Sequence, residues 1–239
     1  LRLYASQAFS PESVLQRLLT EQTSSFVFAF EEGNDCFIGA TPERLAKRED
    51  EQILFTCLAG SMKRGETVTE DEQLGNFLLR DPKNRHEHQL VVDMITDVAM
   101  NMCQNVQVPD GPQLFKSRHI QHLFTPITAK ATDDSLLSII EAMHPTPALG
   151  GYPKEAGLEK IRHIEELDRG WYASPIGWLD HRGNGEFAAA IRSALLQGNE
   201  ASLFAGVGLV ADSDPISEYE ETLIKFKPML SALGEEKHD

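Results

Sequence analysis

The sequence predicts an α+β protein in which two antiparallel β-sheets pack face to face with helices outside. Two stretches, residues 26–60 and 175–210, alternate apolar and polar side chains and break at glycine- and asparagine-rich turns, the pattern of antiparallel meanders. Each is accompanied by segments of helical periodicity. Hydrophobic residues make up 41% of the 239, ample for a substantial core. No long linker, low-complexity tract or short repeat divides the chain, so residues 1–239 are expected to form a single domain.

In chain order, a helix fits Pro11 to Thr20. FVFAFEEGNDCFIGA reads as a hairpin turning at Gly33, Asn34 and Asp35, and EQILFTCLAG as a third strand. From His86 to Cys103, Val91, Val92, Ile95, Val98, Ala99 and Met102 share one helical face. Another helix spans Asp133 to Met143 and stops at HPTPALGGYP, whose three prolines and two glycines cannot continue it. Strands follow in SPIGWLD, EFAAAIRSALLQ and ASLFAGVGLV, with turns at HRGNGE and GNE. SEYEETLIKFK, from Ser217 to Lys227, is a helix on which Glu218, Glu221 and Lys225 fall close together beside an apolar stripe of Tyr219, Leu223, Phe226 and Leu230.

With 22 basic and 37 acidic residues the net charge is −15, which repels nucleic acid and anionic membranes. A small anionic substrate then needs a local cation. Cys36, Cys57 and Cys103 fit neither a disulfide framework nor a zinc knuckle, and no signal peptide or membrane span is visible, so a cytoplasmic location is expected. The chain opens at Leu1 without a methionine, and no lysine precedes Lys47; a longer parent protein is expected.

Three places can hold chemistry. In EFAAAIRSALL, read as one strand, Arg192 shares its face with Ala188, Ala190 and Ala194, and its guanidinium suits a planar carboxylate; equally, it can pair with an internal acid. Gly206 and Gly208 mark a close approach in the next strand. In PKNRHEH, Asn84 and Glu87 have capping-box spacing, and His88 reads as a hydrogen-bonded core histidine. Yet Glu87, Glu218 and Glu221, if clustered, would repel or protonate unless a cation such as Mg²⁺ sat among them. In GATPERL, Thr41 and Pro42 can start a helix or tight turn, leaving Glu43 as a first-turn acid or as the proton donor of a buried site.

Taken in order, GATPERL, LAGSMKRG, KNRHEH, HLFTP, HPTPALGGYP, GWYASPIGWLD, AIRSAL, AGVGLV and SEYEETLIK resemble the chorismate-utilising enzymes, specifically the isochorismate synthases, over nearly the whole chain. The resemblance implies a four-layer α/β/β/α sandwich and conversion of chorismate to isochorismate in menaquinone or catecholate-siderophore biosynthesis; HPTPALGGYP leans towards menaquinone. It implies Mg²⁺ held by Glu87 and Glu221 with Glu218 in the water-mediated shell, while Asn84 stands where relatives often have Asp. Arg192 and Lys225 are implied to grip substrate carboxylates, Gly60, Leu149 and Tyr172 to shape the pocket, and His122 to contact it. Glu43 is implied to be the general acid for the departing C4 hydroxyl as water adds at C2, a task that needs a raised pKa.

Ala148 is small where the amine-transferring relatives have threonine, so ammonia chemistry with an obligatory glutaminase subunit is not expected. The family's water-activating lysine, in a KVVLAR-like strand, has no match here, and Lys47 and Lys63 do not fit its motif. The implied whole is therefore an isochorismate synthase of which this chain carries acid, metal and substrate groups without the base. The alternatives are amine transfer like that of the anthranilate and aminodeoxychorismate synthases, which Ala148 speaks against, and a noncatalytic chorismate-binding fragment.

Overall fold

The computed structural model describes residues 1–234. After the short strand β1 (Arg2–Tyr4), helix α1 (Pro11–Glu21) starts behind Ser10, whose hydroxyl accepts the Ser13 N–H, while Pro11 occupies a first-turn position where a missing N–H costs nothing. The hairpin forms as β2 (Phe26–Glu32) and β3 (Asp35–Thr41), with Gly33 at a φ of 62° in its turn. Next come β4 (Arg44–Glu49), β5 (Gln52–Lys63), α2 (Val68–Leu78) and the long α3 (Pro82–Met102). Strands β6 (Gln104–Gln107), β7 (Gln113–Lys116) and β8 (Ile120–Lys130) precede α4 (Leu136–Met143), the one-turn α5 (Pro147–Gly150) and α6 (Lys154–Ile164). The chain then forms β9 (Pro175–Leu179), β10 (Gly185–Ala189), β11 (Ser193–Gln197), β12 (Glu200–Phe204) and α7 (Pro215–Leu233).

Two antiparallel sheets result. One has the order β1-β12-β11-β3-β2; the other runs β6-β8-β5-β4-β10-β9, with β7 also paired to β8. They pack face to face with helices outside, as the patterning predicts. Helices α1 and α7 cover the five-stranded sheet, burying Val14 and Leu18 with Ile38, Ala194, Leu203 and Met229. Helices α3 and α4 cover the seven-stranded sheet, burying Val91, Ile95, Ile139 and Met143 with Leu45, Phe55 and Ile127. Between the sheets, the Arg44 guanidinium of β4 lies 5.1 Å from the ring centre of Phe26 in β2.

The meanders are partitioned otherwise than their sequence pattern implies. Neither belongs to one sheet: β2 and β3 lie in the first and β4 and β5 in the second, while β9 and β10 lie in the second and β11 and β12 in the first. EFAAAIRSALLQ is accordingly two strands, broken at residues 190–192, so Arg192 is not on a common strand face with Ala188 and Ala194. ASLFAGVGLV is a strand only as far as Phe204, and Gly206 and Gly208 lie in the irregular segment beyond it. GATPERL starts no helix; it turns from β3 into β4. HPTPALGGYP does end α4, yet it contains α5 itself and leads into α6.

On α3 the N-cap is Asp81, whose carboxylate accepts from the Asn84 backbone N–H at 2.9 Å and from its side-chain amide at 2.6 Å. Asn84 is thus inside the helix, and the capping-box reading of Glu87 does not hold. His88 is the buried core histidine expected, bonded to the Ala59 carbonyl at 3.2 Å and the Thr125 hydroxyl at 2.8 Å; burial lowers its pKa to about 4. The first turns of α7 reverse the expected amphipathicity. Tyr219 and Leu223 are exposed while Glu218 is 4% exposed, because the inward face there meets polar side chains of α3. Phe226 and Leu230 further along do pack on the core.

Candidate active site

The site is built on the two places where the chain leaves one sheet for the other. Residues 42–43 carry it from β3 to β4, and residues 190–192 from β10 to β11. These crossovers run side by side: Ala189 N–H donates to the Glu43 carbonyl at 2.8 Å, and Ala40 N–H to the Arg192 carbonyl at 3.1 Å. Strand pairs on either flank, Gly39 with Ser193 and Arg44 with Ala188, continue the ladder. A Cβ on Gly39 would meet the Arg192 carbonyl at 2.9 Å, so this approach requires glycine. The run of buried alanines, Ala188, Ala189 and Ala190, serves the same close packing. Arg192 itself has φ of 53°, in the left-handed region that costs an L-residue about 1–2 kcal/mol. Strain of this kind concentrates at functional positions.

The consequence is that Glu43 and Arg192, distant in sequence, are both buried at 6% exposure on one wall of a cavity of about 630 Å³. Thr41 fixes the first of them, its hydroxyl accepting the Glu43 N–H at 3.1 Å. Burial raises the Glu43 carboxyl to about 7 against the opposing pull of Lys225 and Arg192. Burial also lowers the Arg192 pKa, and its guanidinium forms no ion pair with any described residue. One of its nitrogens approaches His122 Nε2 at 3.4 Å. Arginine can only donate, so Nε2 is the acceptor and the ring proton sits on Nδ1, donated to Ser61 Oγ at 2.9 Å. Burial, then the nearby Arg192 and Lys225 charges, hold His122 neutral.

Gly60, Ala148, Leu149, Tyr172 and Lys225 also line the cavity. Gly60 has φ of 72° at a bulge between β5 and β8, and the following Ser61 N–H donates to the Asn84 side chain at 3.2 Å. Tyr172 stacks on Phe204, centroids 5.3 Å apart, and burial raises its hydroxyl to about 12. Lys225 Nζ donates to the Gly206 carbonyl at 3.0 Å and pairs with Glu221 at 2.8 Å.

Of the three expected metal acids, Glu87 lines the cavity, whereas Glu221 and Glu218 are not among its lining residues. They are electrostatically one group. Burial raises Glu87 to about 7, with Glu221 and Glu218 raising it further and Lys225 and Lys83 opposing. Glu218 is paired with Lys83, a residue the sequence reading overlooked although it sits one helical turn before Glu87 on the same face. Glu87 forms no ion pair with any described residue. No three described acids converge tightly enough to chelate an ion by themselves. The donor chemistry nevertheless fits a hard dication completed by substrate and water oxygens: all three candidate donors are carboxylates, and the cavity-facing one has no ion-pair partner among the described residues. Also overlooked was Arg169, immediately before GWYASPIGWLD, which lines the cavity and donates to the Leu149 carbonyl at 2.9 Å.

Comparison with known proteins places the chain in a family. Residues 1–234 match the family model described as chorismate binding enzyme. The chain is 53% identical over 227 residues to the isochorismate synthase MenF of Bacillus subtilis, covering 95% of this chain and 48% of that protein. It is 46% identical to the salicylate biosynthesis isochorismate synthase of Pseudomonas aeruginosa, covering 94% and 47%. The structure superposes on the menaquinone-specific isochorismate synthase MenF of Escherichia coli with a TM-score of 0.89 at 29% identity, over 97% of this chain and 54% of that one. The chain thus spans about half the length of these curated relatives. On the match along its described length and the shared fold, the chain belongs to the chorismate binding enzyme family.

Proposed function

We propose that this chain carries the substrate site of a Mg²⁺-dependent isochorismate synthase, acting on chorismate for menaquinone or catecholate-siderophore biosynthesis. The observation that supports this most is the pairing of crossovers that sets a carboxyl of pKa about 7 on the same cavity wall as an arginine that forms no ion pair among the described residues. A glutamic acid with that pKa is about half protonated at neutral pH, so Glu43 can deliver its proton to the departing C4 hydroxyl. Arg192 offers a planar fork for one substrate carboxylate, and Lys225 a point charge for another. His122, neutral with its proton committed to Ser61, orients Arg192 without competing as an acid.

Glu87 and Glu221 would hold the metal, with Glu218 behind them; when bound it would neutralise the ring carboxylate against this acidic wall. Ala148 leaves space for water at the reacting face and offers no hydroxyl, which favours hydration over amine transfer. No described residue is assigned the role of water-activating base.

The test is product analysis with chorismate, Mg²⁺ and ammonium, using this chain and the chain extended at its N-terminus, alongside calorimetric binding of chorismate. Isochorismate as product, with binding weakened in Arg192→Lys, supports the reading. An aminated product, or wild-type affinity in Arg192→Lys, would overturn it.

A further inference from the structure

Two arginines line the cavity and differ in what holds them. Arg192 has no carboxylate partner among the described residues, whereas Arg169 is committed to protein groups on every side. Its Nε and Nη2 grip the two oxygens of Glu165 at 2.8 and 2.6 Å, and Nη1 donates to the Leu149 carbonyl at 2.9 Å. Its guanidinium carbon lies 5.8 Å from the centre of the Tyr172 ring.

These contacts come from three separate places. Leu149 lies in α5, Glu165 caps the C-terminal end of α6, and Tyr172 lies in the segment entering β9. Helix α6 has no fully buried residue, and Ile164 is 71% exposed while still lining the cavity. So little burial leaves its position to a few discrete contacts. Near its start Lys154 donates to the His144 carbonyl at 2.5 Å, and in its middle Gly157 packs against Gly150 so closely that a Cβ would collide with that carbonyl. At its end the contact is Arg169.

We propose that Arg169 is a positioning residue: it fixes Leu149 and Tyr172, two walls of the cavity, and clamps the end of α6 at the cavity mouth without touching the ligand. A lysine cannot replace it, since one ammonium on a flexible stem cannot hold a bidentate carboxylate, a carbonyl and a ring face together. The ligand used below rests on the chorismate reading; the clamp does not.

The experiment compares Arg169→Lys, Arg169→Gln and Glu165→Gln with the wild-type chain by amide hydrogen exchange, unfolding midpoint and chorismate affinity in Mg²⁺. All three variants are expected to exchange about tenfold faster across residues 147–165, with α3 unchanged, because a local opening has lost its latch. Their unfolding midpoints stay near wild type and their affinities fall roughly tenfold, the cost of displaced walls. Arg192→Lys serves as the contrast, losing affinity with normal exchange.

Wild-type exchange across residues 147–165 in Arg169→Gln overturns the proposal, as does full rescue of affinity and protection by lysine. So does loss of affinity in Arg169→Gln alone with Glu165→Gln unaffected, which would make Arg169 a ligand contact. If the wild type binds no chorismate yet the variants exchange faster, the clamp stands and the functional reading falls.

Discussion

Replacing Glu43 by glutamine isolates the energetic cost of keeping an ionisable group at the crossover. The folded carboxyl titrates at about 7, against an ordinary value of 4.5, because burial disfavours its charged form. The folded state therefore holds the proton through a range where the unfolded chain has released it. Stability from this group is complete below pH 4.5 and is lost as pH rises through 7. At about 1.4 kcal/mol per pH unit, the span from 4.5 to about 7 amounts to about 3 kcal/mol. Glu43→Gln keeps the shape and cannot ionise. The stability difference between variant and wild type, measured by urea unfolding from pH 4 to 9, should grow by about 3 kcal/mol in the variant's favour, with most of the change between pH 5 and 7. Loss of turnover in the extended protein should accompany it. A difference that stays flat across that range would refute the burial argument, and with it the assignment of Glu43 as a proton donor at neutral pH.

Other expectations follow from single contacts. Arg192→Ala should be about 1 kcal/mol less stable than Arg192→Gly in chemical unfolding, since only glycine adopts a φ of 53° without penalty, although both lose the guanidinium. Gly60→Ala should cost about 2 kcal/mol by the same measurement, combining a φ of 72° with a Cβ placed 3.0 Å from the Asn84 carbonyl. Thr125→Val should cost roughly 1–3 kcal/mol by leaving the buried His88 Nε2 without its donor. Calorimetry of Glu221→Ala should lose the Mg²⁺ dependence of chorismate binding while Glu220→Ala, on the exposed side of α7, keeps it.

What the sequence revealed, and what it hid, divides along physical lines. Local patterns were legible: the hairpin turn at Gly33, the apolar face of α3, and the end of α4 are written in neighbouring residues. The assignment of strands to sheets was not, because an alternating pattern records that one face is buried without recording against which sheet. EFAAAIRSALLQ therefore read as one strand, although Arg192 at positive φ divides it. Motif resemblance singled out Glu43 and Arg192 as candidates, but their adjacency rests on pairing between segments some 150 residues apart, which no local period encodes. The inversion at the start of α7 misled for a related reason: Tyr219 and Leu223 mimic a core stripe, while the buried face is charged because it meets Lys83. Arg169 escaped notice since a lone arginine in a connecting segment has no signature before its three partners are seen.

The side-by-side crossovers also limit how this chain can be taken apart. A cut in the connection between α6 and β9 would give each fragment two strands of the five-stranded sheet's β2-β3 and β11-β12 pairs, and likewise divide β4 from β10 in the other. Neither fragment would own a finished sheet or both crossovers of the cavity wall, although the core under α3 and α4 stays almost entirely with the first. Complementation by two such pieces should therefore couple folding of the second fragment, β9 to α7, to its association with the first. Grafting the cavity onto another scaffold would demand both transits together, since each supplies the backbone partners of the other.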